Sequence, residues 1–395
     1  MLPSVFQKAA EVISIIEKHQ FEAYFVGGCV RDYIIDRPIH DVDIATSATP
    51  AEIQEIFPKV IPVGLEHGTV IVRHQQESFE VTTYRTDGAY TDHRRPDKVH
   101  FVRNIEEDLR RRDFTMNAIA MNAKGEILDP FEGRKDISQN RIQTVGKAAD
   151  RFEEDALRII RALRFSSQLG FSIEDETKEA MGKYKAFIDK LAVERLTVEL
   201  EKLFAGVFYP KAVESIFELE LYHYLPIFKD VPLLLKQIEP VSSLAPVFAF
   251  VELKSPCITA ADCVKAYKCS NQLKQQANTL AEAYHRYKQH GIDAWFVYQL
   301  PKEQWNFFVY LVKLADNEII NIQELRIVQE QLPVLSKKEL CLNGHDLMKW
   351  FPERPKGKWI KELLNEIEYQ IVTSKLANEK SKVKDWIQWN QPDQD

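Results

Sequence analysis

The stretch FEAYFVGGCVRDYIIDRPIHDVDIAT, Phe21 to Thr46, decides how the rest of the chain is read. Its apolar run Ala23 to Val26 has the length of a short buried strand and stops at Gly27-Gly28, where two glycines let the backbone turn tightly and expose N–H groups. Arg31 and Asp32 follow on the first turn of an expected helix. A Gly-Gly turn, a helix N-terminus and a guanidinium thus converge on one anion, the outline of a phosphate site. Asp41 and Asp43 then stand two apart, flanked by Val42 and Ile44. Residues i and i+2 of a strand share a face, so the two carboxylates are expected side by side with Val42 and Ile44 packed behind them. Adjacent carboxylates repel unless a divalent cation lies between them, and an all-oxygen site fits Mg2+. An Asx turn is the ordinary explanation of a D-x-D string, but the strand-Gly-Gly-helix unit just upstream favours the metal pair.

Length and composition set the frame. At 395 residues the chain predicts two to four units, and 45% hydrophobic with 28% charged residues is the composition of a soluble globular protein. The formal net charge of -7 gives no sign of nucleic-acid binding, so any such partner must meet a local basic surface. Five cysteines, Cys29, Cys257, Cys263, Cys269 and Cys341, contain no C-x-x-C; neither a disulfide framework nor a zinc ribbon is suggested, and a reducing cytoplasm is the simplest setting. Val5 to His19 is amphipathic and carries acids, without a signal-peptide apolar region, and no apolar run approaches the length that spans a membrane.

The opening stretch resembles the nucleotidyltransferase signature of the superfamily of class II tRNA nucleotidyltransferases and bacterial poly(A) polymerases. The resemblance implies that Gly28 and Arg31 lie against a triphosphate and that Asp41 and Asp43 are catalytic metal ligands. Further matches follow in order. Arg112-Asp113-Phe114-Thr115-Met116-Asn117-Ala118 is nearly specific to the superfamily and implies that Arg112 contacts nucleotide phosphates; Asp129-Pro130-Phe131 through Gly133 and Asp136 matches a turn read here as structural. Between them, Asp87 to Val99 has Gly, Pro, charge and few apolar residues; its composition fits a mobile loop or a solvated hairpin tip, and the resemblance implies the superfamily's flexible loop.

Arg151 to Phe171, RFEEDALRIIRALRFSSQLGF, reads as one helix ended by Gly170. On a wheel, Phe152, Ala156, Leu157, Ile159, Ile160 and Leu163 share one side, Glu154, Asp155, Arg158 and Arg161 the other, and Arg164 the boundary. Carboxylate and guanidinium three apart usually mean an exposed salt bridge. The pattern E-D-x-x-R-x-x-R is, however, similar to the superfamily's base-reading motif, which implies nucleotide-binding roles for Asp155, Arg158, Arg161 and Arg164. The chemistry agrees: cytosine and adenine both present an amino donor beside a ring-nitrogen acceptor, guanine and uracil a carbonyl beside a ring N–H. A fixed Asp and Arg accept the first pair and reject the second. Val193-Glu194-Arg195 to Glu199-Leu200 matches a further motif, expected to brace this helix.

Around these, Thr49-Pro50-Ala51-Glu52 is a capping box opening a short helix, and Gly68 to Arg73 with Phe79 to Tyr84 reads as a hairpin about Gln75-Gln76. Glu80 is either a third carboxylate near the metals or a solvated strand residue. Leu273 to His290 is expected to be helical up to Gly291, and the tail lysines from Lys356 to Lys384 either line a tRNA backbone or solubilise a face.

Taken together, the expectation is an α+β chain. It comprises a nucleotidyltransferase head with a small mixed sheet (1–147), then an all-helical neck (148–205), body (206–310) and tRNA-binding tail (311–395). The resemblance implies a CCA-adding enzyme that uses CTP and ATP on the tRNA 3′ end with Mg2+. Gly68-Thr69-Val70 replaces the Gly-Arg-Arg-Phe string of the poly(A) polymerase branch, and the loop argues against a CC-adding enzyme, while an A-adding enzyme stays open. From other classes, a non-catalytic RNA-binding module has no reason to keep the metal pair, and a small-antibiotic transferase none to keep the Asp155 helix. The oligomeric state, monomer or homodimer, is not set by the sequence.

Overall fold

The computed structural model describes residues 2–88 and 99–390, so the expected loop from Asp87 to Val99 lies almost entirely outside the described residues. The chain divides into two compact units, 1–242 and 243–395.

The first unit opens with α1 (Ser4–Lys18), whose Phe6, Ala9, Val12, Ile13 and Ile16 recur at helical spacing and are buried, Phe6 meeting Phe25 at 4.8 Å between ring centroids. Its sheet is built from β1 (Ala23–Val26), β2 (Asp43–Thr46), β3 (Val60–Gly64), β4 (Thr69–His74), β5 (Glu77–Thr83), β8 (Ala120–Met121) and β9 (Ile127–Leu128), in the order β3-β4-β5-β2-β1-β8-β9. The β2/β5 pair is parallel and the rest antiparallel, so the sheet is mixed as expected. That parallel pair sets Asp43 opposite Glu80. The β4/β5 hairpin turns at Gln75 and Gln76, both with positive φ, as a two-residue primed turn requires. A separate hairpin of β6 (Arg85–Asp87) and β7 (Val99–Phe101) carries the segment at whose base Asp87 faces Val99.

Around the sheet lie α2 (Gly28–Ile34), α3 (Pro50–Ile56), α4 (Ile105–Arg110) and α5 (Gly133–Ser138). The capping box of Thr49 and Glu52 and Pro50 at the first turn start α3 as the sequence predicts. Asp129 caps α5, accepting from the N–H groups of Gly133 and Arg134, and a Cβ on Gly133 would lie 2.2 Å from the Thr115 carbonyl oxygen. Buried Asp136 accepts from Thr115, so this motif is structural.

Two expectations are corrected. Asp41 precedes β2 rather than lying in it. The helix expected over Arg151 to Phe171 is two helices, α6 (Ala148–Glu154) and α7 (Leu157–Leu169), broken at Asp155, which has extended φ and ψ of -149° and 102°. The cause is local: the Asp155 carboxylate accepts from the Leu157 N–H at 3.0 Å, giving the backbone an alternative to the helical ladder. Gly170, with φ 74°, ends α7 as predicted. A short parallel pair, β10 (Arg141–Ile142) with β11 (Ser172–Ile173), precedes the helices α8 (Asp175–Tyr184), α9 (Val193–Phe204) and α10 (Tyr209–Glu218).

The second unit is helical throughout its described residues. The helix Leu244–Lys254 is buried continuously from Leu244 to Val251, which marks a central core helix. Asn271–His290 is capped by Ser270 and ended by Gly291, and a further core gathers Val334, Leu342, Leu347, Ile367, Ile371, Val383 and Ile387.

Candidate active site

A cleft of about 740 Å3 in the first unit is lined by Gly28, Arg31, Asp41, Asp43, Arg112, Asp155, Arg158, Arg161 and Arg164. Every residue singled out from the sequence for catalysis or nucleotide binding therefore faces one space. Neighbouring segments supply Gly27, Asp32, His40, Asp113, Asn117, Phe165, Arg195 and Lys202.

At one wall, Gly27 ends β1 with φ 75° and begins α2. A Cβ there would sit 2.9 Å from the Arg112 guanidinium, whereas a Cβ on Gly28 would meet only Arg31, at 3.7 Å. Arg112 is anchored behind by buried Asp108 at 3.1 Å, which also holds Arg111. Burial alone would raise the Asp108 carboxyl, but the two guanidinium groups hold it below its ordinary range. Arg31 spans Asp32, at 2.9 Å, and Asn117, at 2.6 Å, with its guanidinium 5.2 Å from the Phe165 ring centroid.

At the second wall, β2 presents Asp43 at the cleft edge beside Asp41. Although Asp43 keeps an accessible edge, desolvation by the enclosing walls pushes its carboxyl pKa up; Arg112 opposes the rise and Asp41 adds to it. Glu80 is raised by desolvation, then by Asp43 and Asp41. Asp41 and Asp43, with Glu80 opposite Asp43, offer carboxylate oxygens of the kind a hard divalent cation prefers. Among the described residues no group of three or more His, Cys, Asp or Glu side chains is arranged to hold a metal ion by itself.

The third wall is α7 against α9. Asp155 accepts from Arg195 at 2.6 and 3.3 Å. Arg158 bonds Glu154 and donates to the carbonyl oxygens of Arg151, at 3.0 Å, and Arg111, at 3.2 Å. Arg161 pairs with Asp113 at 2.6 Å, and Glu199 takes Arg161 at 3.4 Å and Arg164 at 3.1 Å. Burial would raise Asp113, yet Arg161 and Asn117 bring it down to about 2, while burial and nearby Arg161 pull Arg164 down to about 10. Arg164 lies 4.1 Å from the Phe165 ring centroid. The bracing expected of Arg195 and Glu199 is thus present as ion pairs. Sequence reasoning gave no role to Phe165 or Lys202; their signal was a position beside the arginines on α7 and on the Arg195-Glu199 face of α9.

Residues 23–143 match the family model for the poly A polymerase head domain, and 246–387 that for the second domain of a tRNA nucleotidyltransferase. A CCA-adding enzyme of Oceanobacillus iheyensis is 51% identical over 100% of both chains, and one of Bacillus cytotoxicus 41% over 97% of this chain and 98% of its own. The crystal structure of the Bacillus stearothermophilus CCA-adding enzyme in complex with CTP has a TM-score of 0.86 at 36% identity, covering 98% of each chain.

Proposed function

The chain belongs to the family of class II CCA-adding enzymes, and from that premise we infer that it adds C, C and A to the 3′ end of tRNA, drawing on CTP and ATP and releasing pyrophosphate. The observation that supports the site assignment is that Gly28, Arg31, Arg112, the carboxylates Asp41 and Asp43, and Asp155 with Arg158 all line one cleft.

In this reading Gly28, Arg31, Arg112, Arg161 and Arg164 bind the triphosphate by backbone N–H and guanidinium donors. The carboxylate of Asp155, fixed by Arg195, accepts from the exocyclic amino group of cytosine or adenine, and Arg158 donates to the adjacent ring nitrogen. Guanine and uracil place an N–H against Arg158 and a carbonyl against Asp155, and are repelled. Asp41 and Asp43, with Glu80 beside them, would hold Mg2+, which when bound lowers the pKa of the attacking hydroxyl and neutralises charge on the departing pyrophosphate. The tRNA 3′-hydroxyl attacks the α-phosphorus as the bond to pyrophosphate breaks; positioning and charge neutralisation suffice for such a transfer. We place the enzyme in the cytoplasm, and no described helix is long and apolar enough to cross a membrane.

The decisive experiment incubates the protein with tRNA lacking its 3′ end and each labelled nucleotide in turn. CTP incorporation stopping at two residues, and ATP incorporation only after them, is expected. ATP use on a tRNA already ending in CC, with no CTP use at any stage, would instead identify an A-adding enzyme.

A further inference from the structure

Helices α7 and α9 lie side by side and run in the same direction. Arg195 meets Asp155 at their first turns, Glu199 meets Arg161 and Arg164 midway, and the Ser167 hydroxyl donates to the Leu203 carbonyl at 2.6 Å near their ends. Lys202 therefore stands at the level of Ser167 and Gln168, about 10 Å along the axis from Arg195, and it lines the same cleft as Gln168. Its position relative to the base-reading end is fixed by helix geometry.

The charge pattern at that end singles it out. Arg31 is tied to Asp32, Arg161 to Asp113 and Arg164 to Glu199, so each of these cations is already partly neutralised by protein. Lys202, exposed at the cleft wall, has no carboxylate in ion-pair reach among the described residues. Of the phosphates in a nucleoside triphosphate, the terminal one carries the most charge and lies farthest from the base. With the base at Asp155 and Arg158 and the triphosphate on Arg161 and Arg164, as proposed above, the distal phosphates run along α7 toward Gln168, which lines the cleft with Lys202. We infer that Lys202 binds the terminal phosphate of the incoming nucleoside triphosphate, and the same phosphate in the pyrophosphate that leaves. The inference rests on the nucleotide placement proposed above. A lysine suits the task because a compact ammonium on a flexible stem follows the phosphate as it departs.

The test compares CTP with CDP, which lacks the terminal phosphate, on wild type, Lys202→Gln and Lys202→Arg, with Arg112→Ala as the control for placement. Lys202→Gln should weaken CTP binding about tenfold, the scale of one charge-assisted hydrogen bond at an exposed site. CDP binding, the KM for tRNA and the melting temperature should not move, and Lys202→Arg should recover much of the loss. Inhibition by pyrophosphate should weaken in parallel. Equal weakening of CTP and CDP, or a raised KM for tRNA with CTP untouched, would overturn the inference, the latter by assigning Lys202 to the RNA backbone. An unchanged Lys202→Gln beside an Arg112→Ala variant that weakens both nucleotides sinks the Lys202 role alone. If Arg112→Ala spares both nucleotides, the placement itself falls.

Discussion

Arg195 holds both carboxylate oxygens of Asp155, at 2.6 and 3.3 Å, across 40 residues of sequence. The same carboxylate accepts from the Leu157 N–H, so the break between α6 and α7 and the ion pair to α9 fix one side chain from two directions. A carboxylate that rotates freely could follow either an amino group or, by accepting a proton or a water, a carbonyl; a clamped one cannot. Arg195→Ala should therefore leave triphosphate binding in place while lowering the preference for CTP over UTP about tenfold, the value of one well-placed hydrogen bond. Competing labelled CTP and UTP in one reaction measures it. Loss of both nucleotides in equal proportion would show that Arg195 only supports the fold.

Asp113 supplies the pH dependence. Its carboxyl is held at about 2 in the folded protein against an ordinary value of 3.8, so the folded state favours the charged form. A depressed carboxylate stabilises the fold above its unfolded value and loses that contribution as pH falls through the folded value. Asp113→Asn should cost about 2 kcal/mol at neutral pH, and the gap to wild type should close between about pH 4 and pH 2. Urea titrations across that range give the comparison. A gap constant down to pH 2 would mean that the Arg161 pairing contributes nothing through titration.

Glu80 is opposite Asp43 in the parallel pair of β2 and β5; burial raises the pKa of both, Asp41 adds to each rise, and Asp43 adds to that of Glu80. Replacing any of the three relieves repulsion, so metal-free melts of Asp41→Ala, Asp43→Ala and Glu80→Gln should be unchanged or raised. Activity should separate them: the two aspartate variants lose nucleotide addition, while Glu80→Gln needs about tenfold more Mg2+ for half-maximal rate, as for loss of a supporting carboxylate. An unaltered Mg2+ requirement would make Glu80 a solvated strand residue.

What could be read in advance was local. The Gly27-Gly28 turn, the Thr49 and Glu52 capping box, the Gln75-Gln76 hairpin and the Gly170 stop each depend on residues within one turn of one another. The break at Asp155 was not legible, because apolar spacing runs unbroken through it and gives no sign that its carboxylate accepts from the Leu157 N–H. Strand β3 was missed for a different reason: Ile61, Pro62 and Val63 are exposed on an edge strand, so the alternation that announces a half-buried strand is absent. The meeting of Asp43 with Glu80, and of Asp113 with Arg161, follows from long-range pairing that no window of sequence contains.

Adjacent glycines finally allow fold and binding to be separated. Gly27 has φ 75°, and a Cβ on it would press on the Arg112 guanidinium at 2.9 Å; Gly28 has neither constraint, its nearest atom being Arg31 at 3.7 Å. Gly27→Ala should therefore cost about 1 kcal/mol of stability and displace Arg112, raising KM for CTP and ATP alike. Gly28→Ala should melt as wild type, since its backbone is ordinary helix, yet raise KM for both nucleotides because the added methyl enters the space where phosphates approach the backbone. Melting temperatures and KM values for the two variants form a four-way comparison. If Gly28→Ala bound nucleotides normally, the phosphates would not lie against this turn, and the guanidinium groups of the cleft, Arg31 and Arg112 first among them, would have to hold them without it.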